Sequence, residues 1–248
     1  MIAEGGNPSL IRVVWKMLLP LVIAALAGCS SPWAARNAAA VGAADDRNFA
    51  DLRWWAIEQM PGGSVRVHGR ALEIEDQAGC TVWWREELSA PVAISFTATM
   101  LAGEGPNDRV SDLNCFWQAR DSRSSSAPFA NGNARSGKFA DYDSLLTYYA
   151  GYGGNNNTTT RFRRYDGTPA RPLLPEHDLS APRFLLEPHH PYRIRLVARA
   201  GVAEYWRDGE LIFSFVDPAP LQSGWFALRT VRSHLLIEDF RVERLSTR

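Results

Sequence analysis

A long succession of short strand-like segments is the feature that most constrains how this chain can fold. Each segment is rich in β-branched and aromatic residues, and Gly, Pro, Asn and Asp separate one segment from the next. Asp208-Gly209, between two such segments, is a strong hairpin signal. Because strands do not alternate with helices, the pattern argues against a doubly wound sheet and predicts an all-β jelly roll, a two-sheet antiparallel sandwich. The predicted strands are Val65–Glu75, Thr81–Glu87, Val92–Met100, Leu113–Arg120, Leu145–Gly151, Thr159–Tyr165, Tyr192–Ala198, Val202–Arg207, Glu210–Val216, Gly224–Thr230 and Leu235–Leu245.

The N-terminus predicts export and a lipid anchor. Arg12 and Lys16 precede an apolar run that is too short to span a bilayer comfortably. The run ends in Leu26-Ala27-Gly28-Cys29, which resembles a bacterial lipobox whose cysteine is acylated. The alternative is an ordinary signal peptide that contains a cysteine. In both cases the mature chain is exported, and lipidation at Cys29 predicts a location in the bacterial cell envelope, at the outer membrane.

These features divide the chain into three parts. We predict a lipoprotein signal peptide over residues 1–28, a flexible Ala-rich tether over 29–48 and a jelly-roll domain over 49–248. About 200 residues are enough for one sandwich with a substantial core. We expect a monomer that meets the membrane only through its lipid.

Charge and motif content exclude several classes of function. The chain has 27 basic and 27 acidic residues, so no overall field favours nucleic acid. The Gly-rich segment Gly151–Gly154 is not a phosphate loop, because no P-loop lysine follows it. No spacing of His, Cys, Asp and Glu suggests zinc, and we expect no cofactor. A structural calcium ion, held by oxygen ligands, is the alternative that the sequence leaves open.

One predicted strand carries an unusual density of arginine. Strand alternation places Thr159, Arg161, Arg163 and Tyr165 on the same face, after a turn rich in Gly and Asn. Two neighbouring guanidiniums on one sheet face are unfavourable unless water or an anion meets them. A surface of Arg, Tyr and Asn suits an acidic, hydroxyl-rich ligand such as a uronate-containing sugar chain. The alternative is a solvated outer face.

Alternation in two other strands separates an apolar face from a mixed one. Cys80 and Cys115 lie on the predicted core faces and form either a disulfide, which we slightly favour for an exported domain, or two buried thiols. Trp83 and Phe116 lie on the mixed faces, where they stack on sugar rings or pack under a second layer. The other predicted ligand contacts on these mixed faces are Arg85, Asn114 and Gln118.

Five segments resemble a known superfamily. Gly224–Thr230 (GWFALRT) and 237–242 (IEDFRV) resemble the closing strands of concanavalin A-like lectin/glucanase domains. The segments 110–121 (VSDLNCFWQARD), 148–167 (YYAGYGGNNNTTTRFRRYDG) and 173–179 (LLPEHDL) look more specifically like an uncharacterised family of bacterial exported domains within it. The resemblance covers the chain from about Phe49 to the end. It implies a jelly roll whose concave sheet binds saccharide.

The resemblance to enzymes of this superfamily is looser. The Glu-x-Asp-x-x-Glu strand of family-16 glucanases has no counterpart here. Tyr148–Asn155 resembles a strand of jelly-roll alginate lyases but lacks its lysine. Members that cleave keto-glycosides end in a Gly-x-Ile-Gly-Leu-Gln strand followed by a functional histidine, and Gly224–Arg229 with His234 lies in a similar place.

These observations leave three functions open. The first is cleavage of an acidic polysaccharide by lyase chemistry, which must neutralise a carboxylate, remove the α-proton and protonate the leaving oxygen. The second is glycoside hydrolysis, which needs two carboxylates across the groove. The third is capture of a glycan without catalysis. The predicted catalytic residues are Tyr149, His177, His234 and Arg229, and the predicted saccharide contacts are Trp83, Arg85, Asn114, Phe116, Gln118, Asn155, Arg161 and Arg163.

Overall fold

Two antiparallel sheets make up the part of the chain that the computed structural model describes, residues 51–130 and 132–246. The strands are β1 (Trp55–Gln59), β2 (Ser64–His68), β3 (Ala71–Asp76), β4 (Cys80–Trp84), β5 (Leu88–Ser89), β6 (Val92–Met100), β7 (Leu113–Asp121), β8 (Leu145–Gly153), β9 (Thr159–Asp166), β10 (Asp178–Leu179), β11 (Pro191–Arg199), β12 (Val202–Arg207), β13 (Glu210–Val216), β14 (Ser223–Thr230) and β15 (Ser233–Arg244). Short 3-10 helices span Leu52–Trp54, Phe139–Tyr142, Pro175–His177 and Pro182–Phe184, and one helical turn spans Gly154–Asn157.

The strand order defines the two sheets. Sheet A has the order β1-β4-β14-β7-β8-β9-β10, with β5 beside β14, and sheet B has the order β13-β12-β11-β6-β15-β3-β2. Apolar side chains at alternate positions of both sheets meet between them, for example Trp117 of sheet A and Phe96 of sheet B. The predicted all-β sandwich is confirmed. The predicted strands at 92–100, 202–207 and 210–216 have the observed bounds.

The predictions for the N-terminus concern residues that the structure does not describe. The signal peptide over 1–28, the tether over 29–48 and the acylated Cys29 all lie outside the described residues. Within 51–130 and 132–246, no helix has the length and apolar character needed to cross a bilayer.

The predicted disulfide is wrong. Cys80 and Cys115 are free and buried, as the alternative of two buried thiols proposed. They lie on β4 and β7, and β14 runs between these strands, so that Cys80 is opposite Thr230 and Cys115 is opposite Leu228. Two strand spacings and a two-residue offset along β14 place the cysteine Cα atoms more than about 9 Å apart, beyond the roughly 7 Å that a disulfide tolerates.

A bulge in β7 changes the face of its last residues. The register with β14 and with β8 shifts near Gln118, which has a left-handed φ of 52°. Leu113, Cys115 and Trp117 belong to the core between the sheets, as alternation predicts, whereas Ala119 belongs to the outer face of sheet A. Gln118 is buried and lies away from the arginine-rich face, so its predicted contact with a ligand has no support from its position.

A second apolar layer covers part of the outer face of sheet A. Trp83 and Phe116 stack with ring centroids 6.0 Å apart, and Tyr142 packs on Phe116 at 5.6 Å. Phe129 packs on Trp83 at 6.1 Å. Trp83 and Phe116 are therefore fully buried and offer no surface to a sugar ring, which corrects the prediction that they stack on saccharide. We call residues 127–142, apart from the undescribed residue 131, the covering segment.

Buried polar contacts fix the covering segment to the sheet. Glu58 of β1 accepts hydrogen bonds from Trp83 Nε1 at 2.8 Å, from Tyr142 Oη at 2.9 Å and from the backbone N–H of Arg135 at 2.8 Å. The guanidinium of Arg135, whose side chain is 2% exposed, donates to Asp121 Oδ2 at 2.5 Å and to the carbonyl oxygen of Asp141 at 2.8 Å. Since each buried polar group has a partner, the segment is part of the folded body.

Candidate functional site: an arginine-lined cavity

A cavity of about 640 Å³ lies on the outer face of sheet A beside the covering segment. Its residues come from four neighbouring strands and from the loops at their ends. We call it the arginine cavity, because six arginines and one aspartate are its charged residues. It is lined by Arg109, Asp112, Asn114, Phe139, Tyr149, Gly151, Gly154, Asn155, Asn156, Thr159, Arg161, Arg163, Tyr165, Ala170, Arg171, Arg229, Val231 and Arg232.

Strand register aligns the floor of the cavity. Arg229 of β14 is opposite Asn114 of β7, Asn114 is opposite Gly151 of β8, and Gly151 is opposite Arg161 of β9. Residues in register on adjacent strands point to the same face, so this row crosses the sheet with a small gap at the glycine. The row carries one guanidinium at each end and an amide between them.

Tyr149 fills the gap above Gly151. A Cβ atom placed on Gly151 would lie 2.7 Å from Tyr149 Oη, so the tyrosine ring extends over the glycine toward the row. Tyr149 is 7% exposed, and its ring centroid is 5.3 Å from that of Tyr165. Strand alternation predicts this orientation, with Tyr148 and Tyr152 in the core on the opposite face.

Three consecutive asparagines form one end of the cavity. Asn155, Asn156 and Asn157 all have left-handed φ angles of 54–58°, a conformation that asparagine tolerates better than most residues. The side chains of Asn155 and Asn156 line the cavity, and Asn155 Nδ2 donates to Thr159 Oγ1 at 3.2 Å. The Arg109 guanidinium donates to Asn156 Oδ1 and to the Val231 carbonyl oxygen, which connects this turn to β14.

Arg229 is the most deeply buried charge in the cavity, at 2% exposure. Its Nη1 donates to Thr81 Oγ1 and to the Gly137 carbonyl oxygen, each at 2.9 Å. The guanidinium lies 4.8 Å from the Phe139 ring centroid and 4.7 Å from the Tyr142 ring centroid. Nε and Nη2 have no hydrogen-bond partner among the described residues. Two nitrogens of this cavity-lining guanidinium, with three N–H groups between them, are thus unused by the described residues.

The other arginines differ in their charge compensation. Arg161 pairs with Asp178 at 2.7 Å, Arg109 pairs with Asp112 at 2.7 Å, and Arg171 Nε donates to Asp143 Oδ1 at 2.6 Å. Neither Arg163 nor Arg229 has a carboxylate within ion-pair distance in the described ranges. The cavity therefore carries excess positive charge even though the net charge of the whole chain is zero.

Two other polar groups at the cavity are buried without partners. Asn114 is 3% exposed, and its Oδ1 accepts no hydrogen bond from any described residue. The Tyr165 hydroxyl also has no partner there. Burial raises the pKa of Tyr165 to about 12, against the opposing effect of the nearby arginines. Both residues line the cavity, and both have hydrogen-bonding capacity that no described residue uses.

Burial also controls the protonation of Tyr149. It raises the pKa of the Tyr149 hydroxyl well above 10, and Tyr165 and Asp112 act in the same direction, whereas Arg229 and Arg163 oppose it. The phenol is therefore protonated at neutral pH. In this state it can donate a hydrogen bond or a proton, but it cannot accept a proton as a base.

Both predicted catalytic histidines lie away from the cavity. His177 is buried among aromatic rings, with its ring centroid 5.0 Å from that of Phe162 and 5.7 Å from that of Phe213. Burial lowers its pKa. His234 lies on sheet B, where its Nδ1 contacts Asp108 Oδ1 and its Nε2 contacts Glu73 Oε1, each at 2.8 Å. Neither imidazole lines the cavity, so their positions do not support the proton-transfer roles predicted for them.

Of the remaining predicted residues, one lies outside the cavity and the others line it. Arg85 is exposed, donates to the Trp55 carbonyl oxygen at 3.2 Å and lies outside the cavity. The structure brings together the predicted residues Asn114, Tyr149, Asn155, Arg161, Arg163 and Arg229.

Several lining residues were absent from the sequence prediction. Arg109 and Arg171 belong to loops and Phe139 begins a short 3-10 helix, and no local periodicity connects these residues to the strand residues that they meet. For Tyr165 there was a usable signal, because alternation places it on the same face as Arg163.

No group of three or more His, Cys, Asp and Glu side chains in the described part of the chain has the arrangement needed to hold a metal ion. The structural calcium ion stays a prediction.

Comparison with solved structures identifies the fold. A protein of unknown function with a galectin-like fold from Bacillus subtilis is 17% identical with a TM-score of 0.61, over 82% of this chain and 94% of that one. The carbohydrate-binding module CBM66 from Bacillus subtilis is 11% identical with a TM-score of 0.53, over 77% and 95%. The exoplasmic/lumenal domain of VIP36, in a form bound to Ca²⁺ and Man3GlcNAc, is 10% identical with a TM-score of 0.51, over 81% and 88%.

These similarities confirm the predicted concanavalin A-like sandwich, and the first of these structures is described as galectin-like. At such low identity they establish the fold alone. Comparison with curated proteins gives no match. A family model described as "Domain of unknown function (DUF6250)" matches residues 74–240, which include all of the cavity strands, and the chain belongs to that family.

Proposed function

We propose that the arginine cavity binds an acidic saccharide and that Arg229 binds the carboxylate of its sugar. The observation that carries the proposal is the buried Arg229 guanidinium, two of whose nitrogens have no partner among the described residues. A buried charge is unfavourable unless it is paired, and a carboxylate matches the planar fork of a guanidinium. Arg163, on the other side of Tyr149, supplies a second positive charge without a paired carboxylate.

The rest of the lining suits the hydroxyl groups of a sugar. Asn114 Oδ1 is an unused acceptor, and the hydroxyls of Tyr149 and Tyr165 are donors. Asn155 and Asn156 add amides at one end of the cavity. The similarity in fold to a carbohydrate-binding module and to a saccharide-bound lumenal domain supports a glycan ligand by analogy.

Lyase cleavage is the second candidate function, and Tyr149 is the observation that favours it. In β-elimination a base removes the α-proton beside the carboxylate, a C=C bond forms, and the leaving oxygen takes a proton. The protonated Tyr149, between two arginines, suits the last step. The base has no comparable candidate, since no histidine lines the cavity. Binding alone therefore agrees better with the geometry.

Hydrolysis has less support. Asp112 is the only carboxylate among the lining residues, and it is paired with Arg109. The two-carboxylate mechanism needs a second acid across the sugar ring.

We retain from the sequence the proposals of export, a lipid anchor at Cys29 and a monomer in the cell envelope. These would bring the cavity to polysaccharide outside the cytoplasm.

Titration calorimetry with uronate oligosaccharides tests the binding proposal. The wild-type protein without its leader should bind them, and carboxyl-reduced oligosaccharides of the same length should bind at least tenfold more weakly, about 1.4 kcal/mol. Arg163→Gln should weaken uronate binding by a similar factor. Arg164→Gln is the matched control, because Arg164 is the next residue on β9 and pairs with Asp217 on the other face. Equal binding of reduced and unreduced oligosaccharides would contradict the proposal.

A further inference from the structure

We infer that the arginine cavity takes the end of an acidic sugar chain and excludes the interior of the chain. This inference rests on the proposed function and specifies its substrate. It follows from the walls of the cavity. They close three sides, so a saccharide chain could continue from a bound sugar on one side only.

The covering segment forms the first wall. On the β14 side, Phe139 lies against Tyr149 with ring centroids 6.2 Å apart, and Tyr142 packs on Phe116. Beyond these rings the outer face of sheet A consists of fully buried side chains, including Trp83 and Ala227. A saccharide cannot extend across the sheet in this direction, because protein already occupies that face.

This wall is fixed in place. Tyr142 and Arg135 are bound to Glu58 and Asp121 by the buried contacts described above. The Arg171 guanidinium lies 4.0 Å from the Phe139 ring centroid and also bonds to Asp143, which joins the wall to the loop after β9. Opening the wall would leave buried charges without partners, which is strongly unfavourable.

The two ends of the strands are also closed. At one end the turn of Asn155 and Asn156 is joined to β14 through Arg109. At the other end Ala170 and Arg171 line the cavity, and the Arg163 guanidinium donates to the Arg171 carbonyl oxygen. The lining includes no residue of β10, so the side beyond β9 is the one without a wall among the described lining residues.

The size of the cavity agrees with this arrangement. A volume of about 640 Å³ is in the range of pockets that enclose a small ligand. Such a space holds roughly one or two sugar residues with ordered water. With walls on three sides, a bound sugar can continue into a chain in one direction only, and this is the geometry of a chain end.

Binding to chain ends and binding to chain interiors predict different effects of chain length on competition. If the protein binds ends, long and short chains compete equally for each mole of chains, and long chains compete less well for each gram. If it binds interiors, a long chain offers many sites, and potency for each gram is constant or rises with length through multiple occupancy.

Competition between fractionated polyuronates tests this directly. A fluorescent uronate disaccharide is bound to the leaderless protein and displaced by fractions of one polyuronate that differ about tenfold in mean length. We expect half-displacement at the same molar concentration of chains, and hence at about tenfold higher mass concentration for the longer fraction. Half-displacement at equal mass concentration would overturn the inference while leaving the proposed function intact.

Two further results separate the inference from the proposed function. Failure of the disaccharide and of every fraction to bind would overturn the proposed function and the inference with it. Limited endo-hydrolysis of the long fraction, which multiplies chain ends at constant mass, should increase displacement in proportion to the number of ends. Displacement that hydrolysis leaves unchanged at equal mass would overturn the inference, because the mass of interior sugar is nearly the same.

Discussion

The Tyr149 hydroxyl occupies the space that a side chain at Gly151 would need, since a Cβ on Gly151 would lie 2.7 Å from Tyr149 Oη. Both residues lie on β8 and face the arginine cavity. A glycine within a strand weakens it unless another group uses the space, and here an aromatic ring does so. The pair therefore sets the position of a hydroxyl beside the row of Arg229, Asn114 and Arg161.

Gly151→Ala should displace the Tyr149 ring. We expect a loss of about 1–3 kcal/mol in the free energy of unfolding from overpacking, and binding of uronate oligosaccharides weakened about tenfold. Chemical denaturation and calorimetry measure the two effects. In a Tyr149→Ala background the stability cost of Gly151→Ala should largely disappear. The same cost in both backgrounds would show that the contact with Tyr149 does not explain it.

The lowered pKa of Asp121 predicts how the free energy of unfolding changes at acidic pH. Burial alone would raise its pKa, but hydrogen bonds from Arg123 and the nearby Arg135 guanidinium outweigh burial and lower the pKa to about 2. A carboxyl whose pKa is depressed in the folded state stabilises the protein above its unfolded pKa, and this contribution is lost as the pH falls through the folded pKa.

The free energy of unfolding should therefore fall by about 2 kcal/mol through Asp121 between roughly pH 4 and pH 2. Denaturation of wild-type protein and Asp121→Asn over this range measures the effect. The variant should be less stable near neutral pH and should show a smaller loss on acidification. Parallel curves for the two proteins would show that the Asp121 pKa is not depressed.

His234 should have the opposite dependence on pH. Burial lowers its pKa, but contacts with Glu73 and Asp108 outweigh burial and raise it above 6.5. The stabilisation is fully present below the unfolded pKa of about 6.5 and is lost as the pH rises through the higher folded pKa. His234→Gln should lower the free energy of unfolding by about 1 kcal/mol at pH 6 and by less at pH 9.

The same variant also tests where His234 acts. Because His234 does not line the cavity, uronate binding by His234→Gln should equal that of wild type when both proteins are folded. A large loss of affinity in the folded variant would show that His234 contributes to ligand binding.

Strand alternation, a local pattern in the sequence, explains which parts of the candidate site could be predicted. Arg161 and Arg163 share a face because strand alternation is a property of the chain itself, and the same rule orients Tyr149. The register that brings Arg229 level with Asn114 joins β14 to β7, two strands that are neighbours in the sheet but far apart along the chain. Neither alternation nor turn signals contain that information.

The failures have equally specific causes. Trp83 and Phe116 were assigned to the correct face, but the loop that buries them reaches it only through tertiary contacts to Glu58 and Asp121. The bulge at Gln118 depends on one left-handed residue, which β propensity does not indicate. His177 is a predicted catalytic residue, yet its imidazole packs among phenylalanines of two strands that are distant in sequence.

The two cysteines provide a test of the sheet order. Burial raises the pKa of both thiols well above the usual value, so neither should react with a thiol reagent in the folded protein. Denaturation should expose both Cys80 and Cys115 to the reagent without prior reduction. If reduction were required first, the two residues would be joined, and β14 could not lie between β4 and β7.

Tyr149→Phe distinguishes binding from cleavage, because it removes one hydroxyl and keeps the ring over Gly151. If the cavity only binds, the variant should lose roughly 1 kcal/mol of affinity or less, and neither protein should produce ultraviolet absorbance from polyuronates. If Tyr149 protonates a leaving oxygen, wild-type protein should generate the absorbance of an unsaturated uronate, and the variant should be slower by about a hundredfold or more. Arg164→Gln, on the other face of the same sheet, should keep the wild-type rate. Elimination that persists unchanged in Tyr149→Phe would assign the proton donor to another group. The Tyr165 hydroxyl, which has no partner among the described residues, is then the next one to substitute.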